Sequence, residues 1–87
     1  MNDILIELKC EATIKKYEFW IPKTGLIRDV IEKLAEEIMV FEQSDSLFSK
    51  EVIDSMVLVK AEGGRVLRRD YTVQQSGIVS GDLLILV

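Results

Sequence analysis

The chain has 87 residues, a formal net charge of -4 and no histidine. Its length is that of one domain, read as residues 1–87, and its 48% hydrophobic and 30% charged content excludes a disordered polymer. No apolar run approaches the ~20 residues that cross a bilayer, and the single cysteine cannot close an internal disulfide.

At the start of the chain, Ile4, Ile6 and Leu8 alternate with Leu5, Glu7 and Lys9, the period of a strand with one buried face. This opening carries charge in strand-like alternation and is no signal peptide, so the cytoplasm is the expected compartment. Cys10 to Ala12 reads as a hairpin turn. Tyr17, Phe19 and Ile21 then alternate with Lys16, Glu18 and Trp20 in a second strand. The link is too short for a crossover, so the two strands are expected to be antiparallel. Pro22 lacks the N–H of a ladder and ends the second strand.

The strongest pattern runs from Thr24 to Phe41. Ile27, Val30, Ile31, Leu34, Ile38 and Phe41 recur at helical spacing, with charged residues at most positions between them. Thr24 is the expected N-cap, worth about 1 kcal/mol. Ser44-Asp45-Ser46 offers a second cap, for a short helix with Leu47, Phe48, Val52 and Ile53 on one face. The alternative there is an ordered loop pinned by Phe48.

Met56 to Lys60 reads as a strand. Glu62-Gly63-Gly64 is a turn, since two glycines permit positive φ, and Val66 with Leu67 make a brief return strand. Thr72 to Gln75 reads as a helical turn capped by Thr72, and Gly77 and Gly81 mark tight bends. Leu83 to Val87 is an apolar final strand.

That order is strand, strand, helix, strand, short strand, helical turn, strand. It resembles the ubiquitin-like β-grasp over nearly the whole chain. The resemblance implies an α+β fold, with a mixed sheet of four to five strands packed on one long helix. The first and last strands would be central neighbours, flanked by the second strand and by Met56 to Lys60. Asp3-Ile4-Leu5-Ile6-Glu7-Leu8-Lys9 and Ser76-Gly77-Ile78-Val79-Ser80-Gly81-Asp82 carry a narrower resemblance, joined by Tyr17-Glu18-Phe19-Trp20-Ile21 and Val30-Ile31. These runs are similar to those of the YukD/EsaB-type ubiquitin-like proteins, small cytosolic accessory proteins of Gram-positive type VII (WXG100, ESX-like) secretion systems. The resemblance implies a non-enzymatic role through docking on a protein partner, such as a component of the secretion machinery. A general β-grasp adaptor unrelated to secretion is the alternative.

Several chemistries are not expected. Without histidine there is no His-based acid–base or nucleophile system, and most zinc sites are excluded. Iron–sulfur β-grasp proteins hold their cluster with four cysteines, so that branch is excluded, and the lone Cys10, without a partner, reads as an incidental thiol, with a redox or palmitoylation role as the alternative. No Gly-rich run precedes a helix in the manner of a phosphate loop. The expectation is therefore no catalytic residue, no metal and no cofactor. Asp29 to Asp54 holds eight acidic residues against Lys33 and Lys50, read as a solvated helix face or else a surface for a basic partner. Lys60, Arg65, Arg68 and Arg69 form a small basic cluster, but an acidic chain is a poor match to nucleic acid. Ubiquitin and the sulfur carriers act through a Gly-Gly tail. This chain ends Leu84-Ile85-Leu86-Val87 inside a strand, so a modifier or sulfur carrier is expected only if the native C-terminus is longer.

Alternation assigns a possible functional face. If Ile4, Ile6 and Leu8, with Tyr17, Phe19 and Ile21, meet the helix, then Leu5 and Trp20 point away from it. The resemblance puts Leu84 and Leu86 inward and leaves Leu83, Ile85 and Val87 outward. In one phase of the middle strand Val57 and Val59 join them; in the other, Met56 and Leu58 do. Leu5, Trp20, Val57, Val59, Leu83, Ile85 and Val87 are thus the candidate protein-binding residues, for a second copy or for another protein. Scattered surface hydrophobes, or a register that moves these residues into the core, are the alternatives.

Overall fold

The first strand buries every second side chain, as its alternation predicts. In a computed structural model, which describes residues 2–87, β1 (Asp3–Cys10) turns Ile4, Ile6, Leu8 and Cys10 inward. Cys10 therefore belongs to the core and not to the hairpin turn expected from Cys10 to Ala12. It continues the inward phase by one more step, and a free thiol packs there as a small hydrophobe. The turn is residues 11–14, and it closes with Ile14 at a φ of 57°. A β-branched residue in the left-handed region is strained, and this one is also 81% exposed.

The second strand, β2 (Lys15–Pro22), pairs antiparallel with β1, with Leu5 opposite Trp20 and Leu8 opposite Tyr17. Phe19 and Ile21 are buried, and Tyr17 packs partly buried against the core. The helix α1 (Ile27–Phe41) lays Ile27, Val30, Ile31, Leu34 and Ile38 into the core. Phe41, expected on that stripe, is 68% exposed, and its ring meets those of Tyr17 and Phe19 tilted and edge-on.

Thr24 does not cap this helix. The N-cap is Leu26, with no side-chain hydrogen bond. The amides of Ile27 and Arg28 donate instead to the carbonyls of Tyr71 and Arg69, at 2.8 and 3.1 Å. A distant segment thus satisfies the free donors that a local hydroxyl would otherwise serve.

The short helix exists but starts later than expected. In α2 (Lys50–Ser55) the cap is Ser49, whose hydroxyl accepts from the Val52 amide at 3.2 Å, and not Ser44-Asp45-Ser46. Phe48 and Ile53 are buried, Leu47 is half-buried, and Val52 is exposed, so the four do not share one helix face. Beyond it lie β3 (Leu58–Lys60), β4 (Arg65–Val66) and β5 (Leu83–Leu86). Glu62–Gly64 makes the turn between β3 and β4, with Gly63 and Gly64 both at positive φ. Thr72 and Gln75 cap each other reciprocally: the Gln75 amide donates to the Thr72 hydroxyl and the Thr72 amide to the Gln75 side chain.

The five strands run in the order β2-β1-β5-β3-β4. β1 and β5 are parallel, and every other pair is antiparallel. Leu84 and Leu86 point inward with Leu58, and Met56 is buried as well. The phase of β3 and the residues leading into it is therefore the one that turns Val57 and Val59 outward. The core lies between the inner face of the sheet and α1, closed at one end by Phe48, Ile53 and Met56.

Candidate functional site

The outer face of the sheet brings the seven candidate residues to one side of the molecule. Register places them row by row. Trp20 and Leu5 stand opposite each other on β2 and β1. Ile85 lies between Lys9 on β1 and Val59 on β3, and Val59 is opposite Val66 on β4. Val57 and Val87 exchange both backbone hydrogen bonds, at 2.9 and 3.1 Å, and so extend the ladder by one pair. Leu5, Val57, Val59, Leu83 and Ile85 are half-buried by neighbours on the sheet. Trp20 at 57% and Val87 at 48% are more open. None of the seven lies in the core, so the shifted-register alternative does not hold.

Val66 is a residue that the sequence reading missed. It is exposed and continues the Ile85–Val59 row onto β4. Alternation could not find it, because a strand of two residues carries no period. Also missed were the charged positions of the same face: Glu7, Lys9, Lys16 and Glu18 stand beside the apolar ones on β1 and β2. The same alternation that turned Leu5 and Trp20 outward points to these four.

Other polar groups fasten the fold. Each member of the basic cluster makes an internal contact. Lys60 reaches Asp82 and the Gly77 carbonyl, Arg65 the Ser76 carbonyl, Arg68 the Asp70 carboxylate, and Arg69 the Met56 carbonyl. Lys60 and Arg65 thereby hold the loop before β5 against β3 and β4. At the opposite end, Glu42 just past α1 accepts from Lys15 Nζ at 2.8 Å and from the Tyr17 hydroxyl at 2.9 Å. Those hydrogen bonds, from Lys15 first, hold the Glu42 carboxyl below the ordinary carboxylate range. Burial pushes the Tyr17 hydroxyl up, while the Glu42 bond raises Lys15.

Because the folded value of Glu42 is depressed, its contribution to stability is present above the ordinary glutamate pKa of about 4.3. It is lost as pH falls through the lowered folded value. Glu42→Gln is expected to flatten this part of the acid limb. Thermal melts from neutral pH to pH ~3 check this; a variant with the wild-type acid slope would contradict it.

No group of His, Cys, Asp or Glu side chains that could hold a metal is found among the described residues. No helix of the described residues is long and apolar enough to cross a membrane.

By sequence, no protein family and no curated protein matches the chain. Solved structures do match it in shape. An N-terminal ubiquitin-like domain solved in solution is 20% identical with a TM-score of 0.68, over 99% of this chain and 74% of that one. The ubiquitin-like domain of an Arabidopsis thaliana protein is 17% identical with a TM-score of 0.65, over 100% of this chain and 78% of that one. The fold is the ubiquitin-like β-grasp. A chain from a toluene 4-monooxygenase complex shares its shape with a TM-score of 0.76 and 17% identity, over 98% of this chain and 96% of that one. At these identities the likeness carries the fold alone.

Within the β-grasp, the helix covers one side of the sheet and leaves the other to solvent. The outer face is therefore the one broad strand surface on which side chains can meet another molecule, and in this chain its centre is apolar. Gly63 and Gly64, the paired glycines of the sequence, lie in the turn between β3 and β4.

Proposed function

We propose that this ubiquitin-like module is a non-enzymatic, non-conjugating accessory or regulatory protein of a type VII secretion system, acting in the cytoplasm by docking on another protein. One observation carries the docking reading: Leu83, Ile85, Val57, Val59, Val66 and Val87 make a contiguous outward apolar surface across β5, β3 and β4. Continuous apolar patches on small proteins mark interaction sites. Trp20, on β2 opposite Leu5 of the same face, is the residue type that anchors such contacts. The secretion reading is supported by the likeness of Asp3 to Lys9 and of Ser76 to Asp82 to the YukD/EsaB-type proteins. The non-conjugating reading is supported by Gly63-Gly64, which serves chain reversal within the sheet.

Deletion of the gene in its native host is expected to reduce export of WXG100 substrates, and the wild-type gene to restore it. A Trp20→Glu, Ile85→Glu variant is expected to fold and to fail in restoring export. Normal export in the deletion strain would overturn the secretion role. Full restoration by the folded variant would overturn the docking face.

A second reading is an adaptor unrelated to secretion; its support is that the same fold occurs in a chain of the toluene 4-monooxygenase complex. Normal export in the deletion strain would move the assignment there.

A further inference from the structure

We infer that the occupant of the outer face is a second copy of this chain, packed sheet against sheet about a two-fold axis that crosses the strands. The inference rests on the docking reading above and names its partner.

A charge pattern carries it. Glu7 stands opposite Glu18, and Lys9 opposite Lys16. The odd-numbered positions of β1 direct their backbone groups to the β5 side. The Leu5 carbonyl accepts from Gly81, the Glu7 amide donates to Asp82, and the Glu11 amide donates to Leu86. Toward β2 these positions therefore form the close, non-hydrogen-bonded pairs, with Cα atoms about 4.5 Å apart. Two carboxylates are held against each other, and in the next row two ammonium groups. Like charges directly opposite destabilise a sheet. Among the described residues, no ion pair engages any of the four.

Set against a second copy, the same pattern becomes complementary in one orientation only. A two-fold axis parallel to the strands would lay the glutamate row on the partner's glutamate row. An axis across the strands, running between the two rows, exchanges them. Glu7 then lies over the partner's Lys9 and Glu18 over the partner's Lys16. Leu83 is in register with Glu7, and Ile85 with Lys9. The same rotation therefore lays Leu83 on the partner's Ile85. Each contact occurs twice, as an isologous interface requires. The β1 strands run antiparallel across it, within the aligned packing of two sheets. The rotation also carries Trp20 toward the partner's hairpin turn, where the strained and exposed Ile14 stands.

Two single substitutions test this without endangering the fold. Glu18→Lys creates an opposite-charge pair with Glu7 inside the monomer, and Lys16→Glu does the same with Lys9. Both variants are expected to melt no lower than wild type. Across the interface each sets a like charge against its partner row, so each is expected to self-associate at least about tenfold more weakly. Mixed in equal amounts they regain Lys–Glu contact and are expected to form a 1:1 heterodimer. Sedimentation equilibrium on wild type, each variant and the mixture reads the outcome. Wild type is expected to be a dimer that weakens with salt.

A wild type that stays monomeric to millimolar concentration would overturn the inference. So would variants that dimerise as tightly as wild type, or a mixture no tighter than its components. The docking reading is scored separately, by export. A monomeric wild type together with failed restoration by Trp20→Glu, Ile85→Glu removes self-pairing alone. A charge-dependent dimer together with full restoration removes the functional role of the face and keeps the dimer.

Discussion

Leu84→Ala is expected to cost roughly 3 kcal/mol of stability and to lower Tm by roughly 10–25 °C. Leu84 is wholly buried on β5, the middle strand of the sheet, in parallel register with Leu8 and antiparallel register with Lys60. It belongs to the cluster formed with Ile31, Leu34 and Leu58. The inner face is enclosed by strands on both sides and by α1, so the vacated volume cannot collapse fully. Loss of transfer free energy then adds to a cavity term. Domains of this size are stabilised by about 5–15 kcal/mol, so the loss is a large fraction of the whole. Its neighbour supplies the control. Ile85 points to the other face and is half-buried, so Ile85→Glu is expected to cost about 1 kcal/mol or less. Urea unfolding of both variants checks the pair. Equal losses at the two positions would contradict the assignment of faces.

Phe48→Ala is expected to cost about 3–4 kcal/mol. Phe48 is only 5% exposed, although it lies in the irregular segment between the two helices. Few backbone hydrogen bonds order residues 43–49, so the ring is their chief anchor to the core. Removing it opens the end of the core also closed by Ile53 and Met56. Because Phe48 belongs to the one core, amide exchange should then accelerate in β1, β5 and α1 as well as in residues 43–55. A loss under about 1 kcal/mol, with faster exchange confined to residues 43–55, would show instead that this segment opens as a separate low-stability unit.

Much of the fold was legible because its signals are local. The helix follows from the spacing of Ile27, Val30, Ile31, Leu34 and Ile38, and β1 and β2 follow from strict alternation. The turns at Gly63-Gly64, Gly77 and Gly81 follow from the need for positive φ. Apolar outward positions could be derived because a strand that buries one face must show the other. Misses arose where a distant group competes with a local one. Thr24 is a good capping residue by type, but the carbonyls of Arg69 and Tyr71 reach the helix amides first. Ser49 and Ser44 are equally plausible caps by type, and the burial of Phe48 and Ile53 selects Ser49. Phe41 has the right spacing for the stripe but lies exposed at the rim of the core, where its ring meets those of Tyr17 and Phe19.

By itself, the sequence determined which elements form and which side of each is apolar. Side-chain period and backbone steric preference are properties of neighbouring residues. Only the tertiary structure decided the phase of Val57 and Val59, the place of Val66, and the stacking of Glu7 on Glu18 and Lys9 on Lys16. Those are matters of register between strands: the turns at residues 11–14 and Glu62–Gly64 set it within the two hairpins, and the joint burial of Leu8, Leu58, Leu84 and Leu86 against one helix sets it between β1, β5 and β3.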